Sequence, residues 1–332
     1  GRGGTLNAFT SEEYTCFLVK ASSRHFDGVF DVLTDMVLHA TLKSEDIEKE
    51  RTVVMEEIKM TQDQPGQLAE ELLSEEMWPG HSLGRPLTGT IETVGAMTRE
   101  EIKAYRDRHY VPSLITVAAA GNVDHAVLLK NSEAYFAKAT PRDLKQHQSF
   151  DSKALAPRLR LFDKKTEQTH LTLGIHAFPK EDPDEYVLDI LSVLLGGNMS
   201  SRLFNEVREE HGLAYDIGSS VRKYHDTGAF VVSAGVDNKK LIDAVDLIAK
   251  ELRRIAEKNP SPDELERSKE FYLGQMDLGL ENSMSNMLWV GESAVTLGRC
   301  RTPQEIALKV EAVTAEDLSR VARKLFLSRK EV

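Results

Sequence analysis

The chain of 332 residues is long enough for two domains of ordinary size, and its hydrophobic content of 41% allows each domain to bury a core. Its net charge of −11, from 42 basic and 53 acidic residues, disfavours nucleic acid as a partner and mildly favours cationic ligands or peptides. The two cysteines are too few for a disulfide framework or a thiolate zinc site, and they fit a reducing, cytoplasmic compartment.

The first half begins with strand-like sequence. It shows neither an initial Met nor a targeting signal, so the chain is expected to begin inside a domain. Residues 10–21 have the pattern of a strand, and helical spacing of apolar residues then follows at Phe26, Phe30, Leu33 and Val37. Proline and glycine predict a loop at 78–87, and an apolar run predicts a strand at 115–120.

The second half follows a polar stretch. Residues 140–157 lack periodicity and have a proline near each end, which predicts a linker between domains 1–139 and 158–332. The predicted strands are 159–162, 169–177 and 230–234, and the predicted helices are 184–195 and a segment from residue 241. Each half therefore has an α+β pattern. The longest apolar run, 188–195, is shorter than the roughly 20 residues of a membrane span.

One capped helix occurs twice in the chain. It lies around Ile47 and again around Leu265, an offset of 218 residues (265 minus 47), and both copies carry acids in the first turn. A capping signature at Thr98 recurs at Thr314, an offset of 216 residues (314 minus 98). Two such similar offsets predict two homologous α+β domains, each an antiparallel-rich sheet packed with helices.

Only the first copy of this helix carries Glu50 and Glu57; the second has Ser268 and Gln275 at the matching positions. Seven residues along an α-helix return to almost the same direction, so both carboxylates lie on one stripe. A glutamate can be the third protein ligand of a catalytic zinc, but it needs two further ligands, usually histidines. The alternative is a solvated helix face.

The ten histidines contain no pair at the i, i+4 spacing that places two imidazoles on one helical face. His170 and His176 point to the same side of a predicted strand and could share a metal with a third ligand, but a polar strand face is the favoured interpretation. His81 and His109 are expected as loop and helix-end residues. None of the four is assigned as a metal ligand.

Arg208 and Tyr215 follow a segment with the sequence Gly-Gly-Asn-Met-Ser-Ser-Arg-Leu-Phe at 196–204. A guanidinium and a phenol can bind a carbonyl group and stabilise its developing oxyanion. Taken singly, the alternatives are a helix-end arginine and a core tyrosine.

In combination, these segments resemble the pitrilysin/insulinase family of zinc metallopeptidases, and most closely its bacterial branch similar to mitochondrial processing peptidase. The matching segments, in the family's order, are 3–15, 50–57, 196–204 and 208–215. The resemblance covers essentially the whole chain. It implies a zinc-dependent endopeptidase with two homologous α+β domains per subunit. Two subunits or halves would close as a clamshell around a peptide chamber, as a homodimer or a heterodimer.

The resemblance also implies roles for individual residues. Glu57 would be the third zinc ligand, and Glu50 would be a supporting acid. Asn7 and Ala8 would lie on the edge strand that pairs with the substrate backbone by β-augmentation. The pair that would contact the substrate carbonyl opposite the zinc is Arg208 and Tyr215.

Two departures from the family pattern bear on activity. The family's inverted zinc motif, H-x-x-E-H, supplies two histidine ligands and the glutamate that activates water, and it would fall before Gly1. The chain as given is therefore expected to be inactive, whereas the intact protein is expected to bind zinc. Asn198 also replaces a glycine in a loop that is often richer in glycine.

Two other functions remain open. One is a non-catalytic subunit of the same fold that binds peptides or scaffolds an active partner. The other is a binding or structural α+β protein whose acids are only surface residues. The peptidase is favoured because a subunit without chemistry has little physical reason to hold Glu50, Glu57, Arg208 and Tyr215 together.

Overall fold

The computed structural model describes residues 3–136, 149–151 and 156–327. Their packing defines two units that interleave along the chain. The first unit comprises Gly1–Met60, Pro86–His147 and Leu278–Arg301, and the second comprises Thr61–Arg85, Gln148–Asp277 and Thr302–Val332. The domain boundaries predicted from the sequence stay predictions, and most of the predicted linker at 140–157 lies outside the described residues.

The regular secondary structure of the described residues consists of helices and antiparallel strands. The strands are β1 (Thr5–Thr10), β2 (Thr15–Lys20), β3 (Gln168–Ala177), β4 (Ala214–Lys223) and β5 (Gly228–Asp237). The helices are α1 (Phe26–Leu38), α2 (Ser44–Asp63), α3 (Pro65–Met77), α4 (Ile91–Ala96), α5 (Arg99–His109), α6 (His125–Phe136), α7 (Glu185–Gly196), α8 (Leu241–Glu257), α9 (Pro262–Gly279), α10 (Ser283–Leu297), α11 (Pro303–Glu311) and α12 (Ala315–Phe326). The α+β class is confirmed.

The first unit contains the hairpin of β1 and β2, which pair antiparallel from Thr5 opposite Lys20 to Thr10 opposite Thr15. Helix α1 packs against β2, and Leu18 of the strand and Phe30 of the helix are buried. Tyr135 on α6 lies against the Phe30 ring, with 5.8 Å between ring centroids. The apolar residues that follow Phe26 at helical spacing therefore form the face by which α1 covers this small core.

The second unit is built on a three-stranded antiparallel sheet in the order β3-β5-β4. The central strand β5 has almost no exposed side chains, because neighbouring strands cover both edges and helices pack around it. Helix α3 packs on β3, helix α7 packs on β4, and α12 packs on both α7 and α8. The core of this unit includes Phe230, Ile190, Ile248 and Leu318, all at most 1% exposed.

The capping signatures are confirmed in three helices. The Thr98 hydroxyl accepts a hydrogen bond from the Glu101 N–H at 3.3 Å, and the Glu101 carboxylate accepts one from the Thr98 N–H at 2.7 Å. Thr314 forms the same reciprocal pair with Asp317, and Ser261 forms it with Glu264. Two strands followed by two longer helices occur in both halves, as β1-β2-α1-α2 and as β4-β5-α8-α9. This repeated order agrees with the predicted duplication.

Two predicted strands are wrong. Residues 115–120 and 159–162 have no regular secondary structure, because an extended segment counts as a strand only when its backbone bonds to a neighbour. In the second segment, Arg160 instead pairs its side chain with Glu75 at 2.6 Å on α3. Leu159 and Leu161 point outward and are 84% and 82% exposed.

A buried ionic cluster explains why the apolar run of α7 contains acids. The Lys223 ammonium at the end of β4 lies 2.8 Å from the Asp189 carboxylate and 3.2 Å from that of Glu185. The Tyr272 hydroxyl donates to the same Asp189 oxygen at 3.2 Å. Burial raises the pKa of Asp189, and the Lys223 charge opposes that rise. The cluster therefore joins α7, β4 and α9 through one desolvated set of charges.

Replacing Lys223 with Met should lower the free energy of unfolding by about 3–5 kcal/mol at neutral pH, because it takes the cation at 2.8 Å away from the buried Asp189 carboxylate. An unpaired buried carboxyl favours its neutral form, so its folded-state pKa rises and the loss should shrink as the solution is acidified towards about pH 4. Urea unfolding followed by circular dichroism measures both effects. Lys250→Met, on the exposed face of α8, is the control. Equal losses in the two variants would contradict the role of the cluster.

Candidate functional site

The two predicted acids lie on helix α2 of the first unit. Glu50 and Glu57 are both exposed, and the continuous helix from Ser44 to Asp63 keeps them on one stripe, as the spacing predicts. Val53 lies between them and is itself about half exposed. Among the described residues, neither carboxylate takes part in an ion pair or a side-chain hydrogen bond. Both acids are thus available to a ligand, and equally to solvent.

Helix α2 is held in place by an arginine next to this stripe. The Arg51 guanidinium donates to the backbone carbonyls of Val94 and Met97, the latter at 2.8 Å, at the end of α4. It also pairs with Glu48, one turn earlier, at 3.1 Å. These bonds satisfy carbonyl groups that the end of α4 leaves free. They fix the rotation of α2 about its own axis, and hence the direction in which Glu50 and Glu57 point.

A zinc site needs more ligands than this stripe supplies. In the part of the chain that the structure describes, no group of three or more His, Cys, Asp or Glu side chains could hold a metal ion. A catalytic zinc takes three protein ligands, so these residues alone do not fit one. The two histidines expected at a loop and a helix end are found there. His81 accepts from the Leu83 N–H at 3.3 Å, and His109 is the last residue of α5.

The predicted substrate strand is β1, and all six of its residues are exposed. Its one strand neighbour among the described residues is β2, so the other edge of β1 is open there. The Ala8 N–H donates to the side-chain oxygen of Asn7 at 2.9 Å. A side chain can release such a bond more readily than a neighbouring strand can, so the edge can accept a further extended chain.

Arg208 lies in the second unit, on the π-helix Phe204–Glu210. Its guanidinium carbon is 4.6 Å from the centre of the Phe204 ring, and its side chain is 41% exposed. Its nearest carboxylate is that of Glu209, at 3.7 Å. A π-helix is rare and often occurs at functional sites, because its wider turn changes the directions of the side chains. The aromatic contact orients Arg208 while leaving its N–H groups open to solvent.

Tyr215 is placed by a β-bulge. In the pairing of β4 with β5, Ala214 lies opposite Val236 and Asp216 opposite Gly235, so Tyr215 is the extra residue. Its side chain is 61% exposed, which excludes the alternative of a core tyrosine. Gly212 joins the π-helix to β4 in the left-handed conformation, at φ +57°, which favours glycine. Bulges commonly redirect a side chain next to a functional site.

The structure thus places the sequence-predicted residues in two groups. Asn7, Ala8, Glu50 and Glu57 belong to the first unit, and Arg208 and Tyr215 belong to the second. Within the second unit, β4 packs directly against the π-helix, so Arg208 and Tyr215 lie on neighbouring elements.

Sequence reasoning missed one polar pair in the second unit. Arg202 donates from Nε and Nη2 to the two carboxylate oxygens of Glu264, at 2.8 and 3.2 Å. Burial alone would raise the pKa of Glu264, but hydrogen bonds from Arg202 and Ser261 hold it at about 2. The capped-helix pattern around Leu265 identifies Glu264 only as an acid of the first turn. It carried no information about a partner 62 residues away.

Comparison with known proteins identifies the class. Residues 2–91 match the domain described as Insulinase (Peptidase family M16), and residues 96–272 match the Peptidase M16 inactive domain. The chain belongs to this insulinase (M16) peptidase family, as the resemblance predicted.

Individual relatives agree. The chain is 35% identical over 327 residues to an uncharacterized zinc protease of Streptomyces coelicolor, covering 97% of this chain and 71% of the relative. It is 36% identical over 328 residues to the uncharacterized zinc protease YmxG of Bacillus subtilis, covering 98% and 78%. The fold matches the crystal structure of a protease from Helicobacter pylori with a TM-score of 0.87, at 20% identity and covering 98% and 79%. None of the described helices is long and apolar enough to cross a membrane.

Replacing Glu264 with Gln should destabilise the second unit at neutral pH, because Arg202 and the α9 cap then lose a charged acceptor. The folded-state pKa of Glu264 is lowered from 4.5 to about 2, so its contribution is present above the unfolded value and disappears as the pH falls. The difference in melting temperature between variant and wild type should therefore shrink below about pH 4.5. Glu266→Gln, an exposed neighbour on α9, should show little difference at any pH. A deficit independent of pH would contradict this account.

Proposed function

We propose that the intact protein is a zinc-dependent endopeptidase that cleaves peptides or unfolded segments inside a closed chamber. The observation that carries this proposal is Glu57. It is an exposed acid without an ion pair among the described residues, on a helix of a chain whose relatives are called zinc proteases. The chamber is proposed to close against a homologous subunit, which is either a second copy or a different chain. A cytoplasmic location stays a prediction.

The strand β1 is the proposed substrate-binding element. A substrate in extended conformation would add to the open edge of β1 at Asn7 and Ala8 through main-chain hydrogen bonds. Such binding reads the backbone and not the side chains, so it suits an enzyme that accepts many unfolded segments. The exposed Leu6 and Phe9 on the same strand offer apolar contacts to substrate side chains. The net charge of −11 favours basic peptides.

Arg208 and Tyr215 are the proposed partners of the substrate carbonyl. Both present hydrogen-bond donors to solvent, and the π-helix and the bulge fix the backbone beneath them. A donor held in advance of the reaction stabilises a developing oxyanion without the cost of reorganising. This role needs no change in the protonation of either group.

Zinc, when bound, would supply Lewis-acid activation of water and of the carbonyl. The ligand that we assign to this chain is Glu57, with Glu50 as a supporting acid. Since the described residues do not fit a zinc ion by themselves, its remaining ligands and the general base are proposed to come from outside them.

A non-catalytic, peptide-binding subunit of the same fold is the alternative. The match of residues 96–272 to a domain described as inactive does not separate the two functions, because relatives called zinc proteases align over nearly the whole chain. Such a subunit would use the strand edge and the pair of Arg208 and Tyr215 for binding alone. Zinc content and turnover measured on the intact protein separate the two functions.

In the full-length protein, Glu57→Gln should abolish tight zinc binding, because an amide is a much weaker zinc ligand than a carboxylate. Metal analysis after dialysis gives the zinc-to-protein ratio. Glu56→Gln is the control, since Glu56 is also exposed on α2 and pairs with Lys59 at 2.7 Å. Retention of stoichiometric zinc by Glu57→Gln would contradict the assignment.

Tyr215→Phe in the full-length protein should lower kcat by about tenfold or more and change KM much less, since it removes a donor needed mainly in the transition state. Steady-state hydrolysis of a fluorogenic peptide measures both constants. Tyr105→Phe is the control, because that tyrosine is similarly exposed, at 60%, and lies in the first unit. An unchanged kcat would argue that Tyr215 does not assist at the oxyanion.

A further inference from the structure

A cavity of about 570 Å³ lies within the second unit, between the end of α7, the 198–206 segment and residues of α8 and α9. We call it the Ser201–Arg202 cavity. Its size is that of pockets that hold small organic ligands. Val193, Leu194 and Phe271 supply apolar lining, and the polar lining comes mainly from the 198–206 segment.

Two adjacent residues lining this cavity carry polar atoms without a partner. Ser201 is 3% exposed, and its hydroxyl has no hydrogen-bond partner among the described residues. The Nη1 atom of Arg202 is also buried and without an acceptor there. More than about nine in ten buried polar groups in folded proteins have a partner. Two such atoms on consecutive residues that line one cavity therefore indicate a place where an acceptor binds.

The orientation of the Arg202 guanidinium is fixed by the edge that carries Nε and Nη2, opposite to Nη1. Nε and Nη2 are both engaged with Glu264, so the plane of the group is set and Nη1 is directed away from that carboxylate. The low pKa of Glu264 keeps it ionised at neutral pH. The neighbouring side chains are also engaged, since Asn205 donates to the Ser200 carbonyl at 3.2 Å and Asn198 accepts from the Ser200 N–H at 2.8 Å. The polar side chains next to the Ser201 hydroxyl and Nη1 of Arg202 are thus held by hydrogen bonds of their own.

The charges around the cavity limit the ligand. Three arginines and three glutamates line the cavity: Arg202, Arg254, Arg267, Glu206, Glu264 and Glu270. The lining is therefore formally neutral, and a dianion such as phosphate would meet three carboxylates. A carboxylate carries a single charge and has two oxygens, which suits one hydroxyl donor and one guanidinium donor.

We propose that the Ser201–Arg202 cavity binds the C-terminal carboxylate of a short peptide. The carboxylate accepts hydrogen bonds from the Ser201 hydroxyl and from Nη1 of Arg202. The apolar lining receives the last side chain of the peptide, and the volume accommodates a few residues. This binding does not depend on zinc or on the proposed cleavage, so its failure and the failure of the proposed function are separate results.

The purified 332-residue chain should bind N-acetyl-glycyl-leucine saturably in isothermal titration calorimetry. The matched amide, N-acetyl-glycyl-leucinamide, has the same size but no charge and should bind about tenfold more weakly or not at all. Equal binding of the acid and the amide would overturn the proposal. So would the absence of acid binding, or stronger binding of inorganic phosphate than of the acid.

Two serine variants test the site itself. Ser201→Ala removes a hydroxyl that bonds to no described residue, so the urea midpoint should not fall, while the affinity for N-acetyl-glycyl-leucine should drop about tenfold. Ser319→Ala is the matched control, because the Ser319 hydroxyl is also buried and unpartnered among the described residues, but it does not line the cavity. Wild-type affinity in Ser201→Ala, or an equal loss in Ser319→Ala, would overturn the proposal.

Discussion

The central strand β5 is the constraint on which the second unit depends. Its residues from Ala229 to Val232 are almost completely buried, and it bonds to β3 on one edge and to β4 on the other. A strand buried on both faces allows little change of register, because a slip of one residue would move every side chain to the opposite face and disrupt the packing on both. The one irregularity in its pairing, at Tyr215, is therefore imposed on β4 and not shared by β5. Because β5 is fixed, the bulge in β4 gives the Tyr215 side chain a defined direction.

The segment between the π-helix and the bulge is also fixed by backbone hydrogen bonds. The Leu213 N–H bonds to the Val207 carbonyl at 2.8 Å, and the Gly212 N–H bonds to that of Arg208 at 3.1 Å. The left-handed Gly212 allows the chain to make both bonds within one short turn. Arg208 and Tyr215 are thus connected by a segment with few free torsions. Preorganised donors of this kind suit recognition of a carbonyl group better than side chains on a mobile loop.

The sequence predicted features that depend on local chemistry and missed those that depend on distant partners. Capping boxes at Thr98 and Thr314 were predictable because each is made within four residues. The strands at 115–120 and 159–162 were wrong because an apolar pattern does not show whether another strand lies alongside. The family resemblance selected Arg208 and Tyr215, but neither the bulge nor the π-helix has a recognisable sequence signal here. The Arg202–Glu264 fork likewise had no signal, since its partners are far apart in the chain.

The π-helix Phe204–Glu210 links the cavity to the proposed carbonyl-binding pair. Asn205 and Glu206 line the cavity, and both belong to the π-helix that also carries Arg208. A ligand that contacts this helix stabilises its π-helical form only to the extent that it binds that form more tightly than any other form of the segment. By linkage, anything that holds Arg208 in the formed helix would then tighten the ligand by the same factor. If both proposals hold, the shared helix is the physical route by which the end of one peptide, in the cavity, would affect how the backbone of another is held at Arg208.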